Sequence, residues 1–188
     1  MARIPYRDLS DAPEKIRTLI AGLPPLNIFR MLGHVETLAS GFAQLGGAIL
    51  GREQLDARLR ELVILRVGAR SPAPYEWQQH VPIARATGAT DDEIAAMKRD
   101  TPDVPSFGAR ERAILRLTDE LLTTPRASDA TVAAMRAEFS DRELCEAVLT
   151  VGYYMMVARF LETTGVDLET GAADTAAELV QRLQRPPA

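Results

Sequence analysis

Apolar residues recur at steps of three and four along most of this chain, which is the spacing of one face of an α-helix. The clearest run covers residues 55–69, and a second extends from Ile28 to Leu50. No stretch of five or more residues alternates β-branched apolar and polar side chains, as a half-buried strand does. The pattern therefore predicts an all-α protein.

Capping residues set the predicted helix boundaries. Thr90 and Ser140 each precede a glutamate by three residues, which is the capping box at a helix start. Gly88 and Gly165 stand where a left-handed residue ends a helix. The predicted helices cover residues 10–22, 28–50, 55–69, 75–87, 90–98, 109–123, 128–139, 143–164 and 174–183. Residues 100–108, which contain two prolines, are the predicted hinge.

Composition narrows the classes of protein. A chain of 188 residues with 46% hydrophobic residues can bury the core of one domain, residues 1–188. A net charge of −4 argues against nucleic acid as a partner. No uninterrupted apolar run reaches the roughly 20 residues of a membrane span, so no membrane partner is expected. The single cysteine, Cys145, allows no intramolecular disulfide, which predicts a cytoplasmic protein. Its apolar neighbours predict that Cys145 is buried.

Two histidines, His34 and His80, limit the search for acid–base chemistry. Glu76 precedes His80 by four residues, so on a helix both lie on one face, where the carboxylate could orient the imidazole. The alternative is a solvated surface pair. Glu61 is a second candidate, although periodicity alone favours a surface glutamate paired with a neighbouring arginine.

Other motifs add little chemistry. Neither a metal-ligand motif, a glycine-rich phosphate loop nor a Gly-x-Ser-x-Gly elbow occurs, so no metal and no cofactor are predicted. An aromatic and thioether stripe is interpreted as core packing, with a pocket wall as the alternative. The stripe consists of Tyr153, Tyr154, Met155, Met156 and Phe160.

Three segments together resemble the carboxymuconolactone decarboxylase family, whose superfamily includes the alkylhydroperoxidase D-like proteins. They are Leu55–Arg70, Tyr75–His80 and Thr90–Ile94. The resemblance implies a multi-helix alkylhydroperoxidase D-like domain, with its core at about residues 27–100 and a helical extension over 109–188.

The peroxidase branch of that superfamily has a Cys-x-x-Cys pair before the histidine. Glu61 and His80 match its glutamate and histidine, but Ala73 and Glu76 stand at the two cysteine positions. Dithiol peroxidase activity is therefore not expected, because it needs both thiols.

The resemblance implies a lyase-like, cofactor-free enzyme that decarboxylates, or moves a proton on, a small carboxylated or lactone metabolite. His80 would be the acid–base group, Glu76 its orienting partner and Glu61 a second proton carrier. The expected substrate-binding residues are Trp77, Tyr75, His34 and Arg30.

Two alternatives stay open: a ligand-binding or structural protein without turnover, and a weak peroxidase that uses Cys145. In every case the resemblance implies a homo-oligomer, as a dimer, trimer or hexamer.

Overall fold

The computed structural model describes residues 1–170, which contain nine α-helices and no strand. The all-α prediction is therefore confirmed. The predicted helix over residues 174–183 lies outside the described residues. The helices are α1 Glu14–Ala21, α2 Asn27–Leu32, α3 Ala39–Arg52, α4 Ala57–Arg70, α5 Pro74–Ala86, α6 Asp91–Ala96, α7 Ala109–Thr123, α8 Asp129–Glu138 and α9 Asp141–Thr164.

Helix α4 runs through the centre of the molecule. It packs against α5, α7 and α9, while α8 covers α7. Its middle, Leu62–Leu65, is fully buried on every side, as expected of a helix that is enclosed by others. The polar residues Arg60, Glu61 and Arg66 of α4 are buried as well. Each of them therefore needs a polar partner inside the protein.

The predicted caps are confirmed. Thr90 and Ser140 both form capping boxes, with side-chain and backbone bonds in each direction. Gly88 and Gly165 have φ angles of 98° and 69°, the left-handed conformation that glycine adopts without strain. These features are local, and local sequence determines them.

The helix predicted from Ile28 to Leu50 is in fact two helices, α2 and α3. The amino-terminal segment causes the break. Arg7 packs against Gly33, and the His34 ring bonds to the carbonyl of Pro5 at 2.9 Å. A Cβ atom at position 33 would lie 3.0 Å from Cβ of Arg7, which is a tight contact, and α2 ends at this glycine before α3 starts at Ala39.

The first helix also begins later than predicted. Asp8, not Ser10, caps a short 3₁₀ turn at Leu9–Asp11, and α1 starts after Pro13. Pro13 is the N-cap of α1, where its missing N–H removes no bond of the helix.

Residues 100–108 are packed and do not form the predicted hinge. Val104 and Phe107 belong to the core. The buried guanidinium of Arg66 donates to three backbone carbonyls between Met97 and Asp100. These bonds fix the start of the segment against α4.

Helix α9 has a buried face and an exposed apolar face. By length and composition it is apolar enough to cross a membrane, but 44% of its most apolar stretch is buried inside the fold, and core helices satisfy the same criterion. Cys145, Val148, Leu149 and Met156 lie on the exposed face. The prediction of a buried Cys145 was therefore wrong, because its apolar neighbours are exposed with it.

Candidate active site

An apolar cavity of about 130 Å³ lies between α2, α3, α5 and α9. Its volume is close to the roughly 150 Å³ of an engineered apolar cavity that holds benzene. Among residues 1–170, no arginine or lysine lines it. The polar lining comes from α5, and the aromatic lining includes Phe29, Phe42, Tyr75, Tyr153 and Tyr154.

His80 lines the cavity and is held from behind by Glu61. The Nδ1 atom of His80 lies 2.8 Å from Oε2 of Glu61, and Nε of Arg60 donates to the other carboxylate oxygen at 3.1 Å. A carboxylate that is paired with arginine accepts hydrogen bonds, so Nδ1 carries the proton and Nε2 keeps its lone pair. Nε2 has no hydrogen-bond partner in the described part of the chain, and it is available to a molecule in the cavity.

Glu61 is not the surface residue that periodicity favoured. Its side chain is completely buried, and the neighbouring Arg60 is 3% exposed. Burial is tolerated because Glu61 receives one bond from Arg60 and one from His80. Removing one partner of such a buried pair typically costs about 3–5 kcal/mol, because the remaining charge has no counterion.

Glu76 also lines the cavity, but it does not orient His80 as its spacing predicted. Both of its carboxyl oxygens are buried and without a hydrogen-bond partner in the described residues. The carboxyl group lies against Gly68 of α4, where the absence of a side chain leaves room for it. Burial, with a smaller contribution from the negative charge of Glu162, raises the pKa of Glu76 to about 9. At neutral pH this group is a neutral acid that can donate a hydrogen bond.

Gln79 is a site residue that the sequence analysis missed. It is 5% exposed and lines the cavity, and neither its amide nitrogen nor its amide oxygen has a partner within residues 1–170. Leaving such buried groups unsatisfied typically costs about 1–3 kcal/mol each. Its position could have identified it from the sequence, because it lies three residues after Glu76 and one before His80, on the same side of α5.

The aromatic stripe of α9 serves both predicted purposes. Tyr153 and Tyr154 line the cavity, and the ring of Tyr154 meets the His80 ring edge-on with centroids 5.0 Å apart. The Tyr153 hydroxyl donates to the carbonyl of Phe42 at 3.0 Å, which joins α9 to α3. Met156, by contrast, is exposed.

Tyr75 and Trp77 lie on different sides of α5. Tyr75 lines the cavity, and its hydroxyl donates to Glu169 at 2.6 Å. Trp77 is half-buried outside the cavity, where the ammonium group of Lys98 lies 4.1 Å from the centre of its ring. Of the two residues, Tyr75 therefore has the expected location.

Arg30 and His34 do not line the cavity either. Arg30 is exposed, and its guanidinium lies 4.4 Å from the centre of the Tyr6 ring. His34 is exposed and bonded to the amino-terminal segment. The expected carboxylate anchor is therefore absent from the cavity wall.

Cys145 lies on the outer face of α9 and is not among the residues that line the cavity. No other cysteine exists in the chain, so no thiol stands beside His80. Within residues 1–170, no three His, Cys, Asp or Glu side chains are grouped as a metal ion would require.

Residues 36–120 match the Carboxymuconolactone decarboxylase family. This segment contains Glu61, Glu76, Gln79 and His80, and the whole helical fold is shared with AhpD-like structures. The chain is therefore similar to the carboxymuconolactone decarboxylase family over residues 36–120, and it shares the fold of AhpD-like structures.

Solved structures show the same fold over almost the whole chain. An uncharacterised peroxidase-related protein with an alkylhydroperoxidase AhpD core, from Ralstonia eutropha JMP134, is 20% identical with a TM-score of 0.77, and the alignment covers 94% of this chain and 96% of that one. A peroxidase-related protein from Silicibacter sp. TM1040 is 17% identical with a TM-score of 0.74, with coverage of 93% and 94%.

A third structure is a cysteine-to-alanine variant of the debrominase Bmp8 in complex with 2,3,4-tribromopyrrole. It is 18% identical with a TM-score of 0.70, and the alignment covers 96% of this chain and all of that one. No curated protein matches the chain by sequence. The same fold therefore occurs in proteins described as peroxidase-related and in a debrominase.

Proposed function

We propose that this protein is a cofactor-free acid–base enzyme that moves a proton on, or decarboxylates, a small oxygen-bearing metabolite in the cavity. One observation carries the proposal. His80 is held by Glu61 with Nε2 free, and the same cavity contains the neutral carboxyl group of Glu76. A base and a neutral hydrogen-bond donor in an apolar cavity are the groups that enolate chemistry needs.

In proton transfer, Nε2 of His80 removes a proton from a carbon next to the substrate carbonyl. The electron pair of the broken C–H bond moves into the carbonyl, whose oxygen becomes negative and accepts a hydrogen bond from Glu76. The imidazolium ion is stabilised by Glu61 until the proton returns to carbon. A carboxylic acid that burial keeps neutral is an established way of stabilising such an oxyanion.

Decarboxylation would use the same groups. The bond between the carboxylate and its carbon breaks, carbon dioxide leaves, and the electron pair forms the same type of enolate. Nε2 of His80 takes the proton of the substrate's carboxylic acid before this bond breaks, and the resulting imidazolium then returns that proton to the carbon of the enolate, which completes the product. Glu76 again donates to the enolate oxygen.

The cavity favours the carbonyl or lactone part of the expected substrate over its carboxylate. No cationic side chain of the described part of the chain lines the wall, whereas a buried carboxylate needs a cation or several donors. The tribromopyrrole bound by Bmp8 is likewise a small ring, which supports the proposed size of the substrate.

Binding without turnover is the second candidate, and the unpartnered polar atoms of Gln79 and Glu76 favour it, because a bound molecule would satisfy them. The two candidates differ in turnover, because the enzyme changes the bound molecule and the binding protein does not.

The experiment is hydrogen–deuterium exchange at carbon, followed by NMR, for cyclohexanone and δ-valerolactone in D₂O. The proposed enzyme accelerates exchange next to the carbonyl, and His80→Gln slows it by about 10²–10⁴-fold. His34→Gln is the matched control, because it changes the exposed histidine and should leave the rate unchanged. Exchange that persists in His80→Gln contradicts the proposed mechanism, and binding without exchange by the unmodified protein favours the second candidate.

A further inference from the structure

We infer that Gln79 is the specificity-determining residue of the cavity and that, with Glu76, it selects an uncharged ring of about six atoms carrying a hydroxyl or carbonyl group. The inference rests on the proposed function in one respect, since the bound ring would be its substrate. It concerns which molecule binds, whereas the proposed function concerns what happens to it.

The first support is the unused hydrogen-bonding capacity of the wall. Gln79 has a buried donor and a buried acceptor without partners among the described residues, and so has the Glu76 carboxyl group in its neutral form. Buried polar groups are normally paired, and exceptions call for an explanation. A ligand that accepts from the Gln79 amide nitrogen, or donates to its oxygen, supplies the missing bonds.

The second support is the size and character of the remaining wall. The volume of about 130 Å³ fits one six-membered ring. Aromatic side chains such as Phe42 and Tyr154 line it, and aromatic rings pack well against other rings. A longer or branched molecule would extend beyond this volume.

The third support is charge. Within the described residues a carboxylate in this cavity would meet no cation on the wall, because Arg60 is not among the lining residues and its Nε donates to Glu61. An ammonium ion would meet Glu76 in its neutral form. An uncharged polar ring avoids the cost of burying either ion without a counterion.

The test compares phenol, toluene and benzoate by titration calorimetry at pH 7, with the unmodified protein and Gln79→Met. The three compounds share one ring and differ in a hydroxyl, a methyl and a carboxylate group. We expect phenol to bind most tightly. Methionine keeps the length of glutamine without its amide, so Gln79→Met should weaken phenol binding about tenfold and leave toluene binding unchanged.

A second readout keeps the test independent of a folding defect. Gln79→Met removes two unpartnered buried polar atoms, so the ligand-free variant should melt at a higher temperature than the unmodified protein. The inference is overturned if phenol does not bind, if benzoate binds more tightly than phenol, or if both proteins bind phenol equally well.

These outcomes are separate from those of the exchange experiment. A phenol preference that Gln79 controls, in a protein without exchange activity, supports the inference and contradicts the proposed function. Exchange activity in a protein without that preference supports the proposed function and contradicts the inference.

Discussion

At the scale of single residues, two buried glutamates have different properties because their neighbours differ. Glu61 has Arg60 and His80 as partners, whereas Glu76 has none. The sequence pointed to Glu61, Glu76 and His80, but not to Arg60 or Gln79, and it did not show which of these side chains pair with each other. Spacing along one helix can suggest Glu76 for His80, whereas a partner 19 positions away on another helix has no local signal.

The pH dependence of the stability difference between Glu76→Gln and the unmodified protein should show the charge state of Glu76. The folded protein keeps a proton on Glu76 up to about pH 9, whereas the unfolded chain releases it near the ordinary value of 4.5. Stability of the unmodified protein therefore falls as pH rises between these values, by up to about 1.4 kcal/mol per pH unit from this group. Glutamine removes this component, so thermal unfolding at pH 5, 7 and 9 should show a growing advantage of the variant. Glu36→Gln, on an exposed carboxylate, is the control, and a constant difference across pH would contradict an elevated pKa.

At the scale of elements, α3 forms one wall of the cavity and depends on glycine for its place against α9. The Tyr153 hydroxyl lies so close to Gly46 that a side chain there would overlap it. The sequence predicted most helices and caps, because these follow from local spacing and hydrogen bonds. It did not predict the break before α3, because Arg7 and Pro5 cause it from outside that segment.

Gly46→Ala should push α3 away from α9 and break the bond between Tyr153 and Phe42. We expect it to lower the free energy of unfolding by about 1–3 kcal/mol, as overpacking does. Gly41→Ala is the matched control on the same helix, because a methyl group there meets nothing within 4 Å. That change should instead stabilise the protein by about 0.5–1 kcal/mol, since alanine favours helix more than glycine does. Urea unfolding measures both, and equal effects would contradict this account of α3.

At the scale of the whole molecule, α3 with its N-cap and α9 expose five large apolar side chains to solvent. They are Leu38, Leu45, Val148, Leu149 and Met156. Single apolar residues are ordinary on a surface, whereas several on two elements that contact each other favour an interface. We propose that a second copy of the chain covers them in a cytoplasmic homo-oligomer, as the superfamily resemblance implied.

Leu149→Glu should therefore shift the mass measured by light scattering toward the 20.6 kDa of one chain. A carboxylate at the centre of an apolar interface would be buried without a partner, which is costly. Ala133→Glu, at an exposed position of α8, should leave the mass unchanged. A single-chain mass for the unmodified protein would exclude the proposed oligomer.

Trp77 gives this molecule its own optical reporter. It is the only tryptophan in the chain, and it lies on α5 between Glu76 and His80, with an ammonium group over its ring. Because it points away from the cavity, a small ring that enters would not collide with the indole or displace its solvent. Any change in emission would instead come from movement of α5 as a body. The emission of unlabelled protein can therefore show whether α5 moves when a molecule binds in the cavity. Unchanged emission would indicate that this buried helix keeps its position.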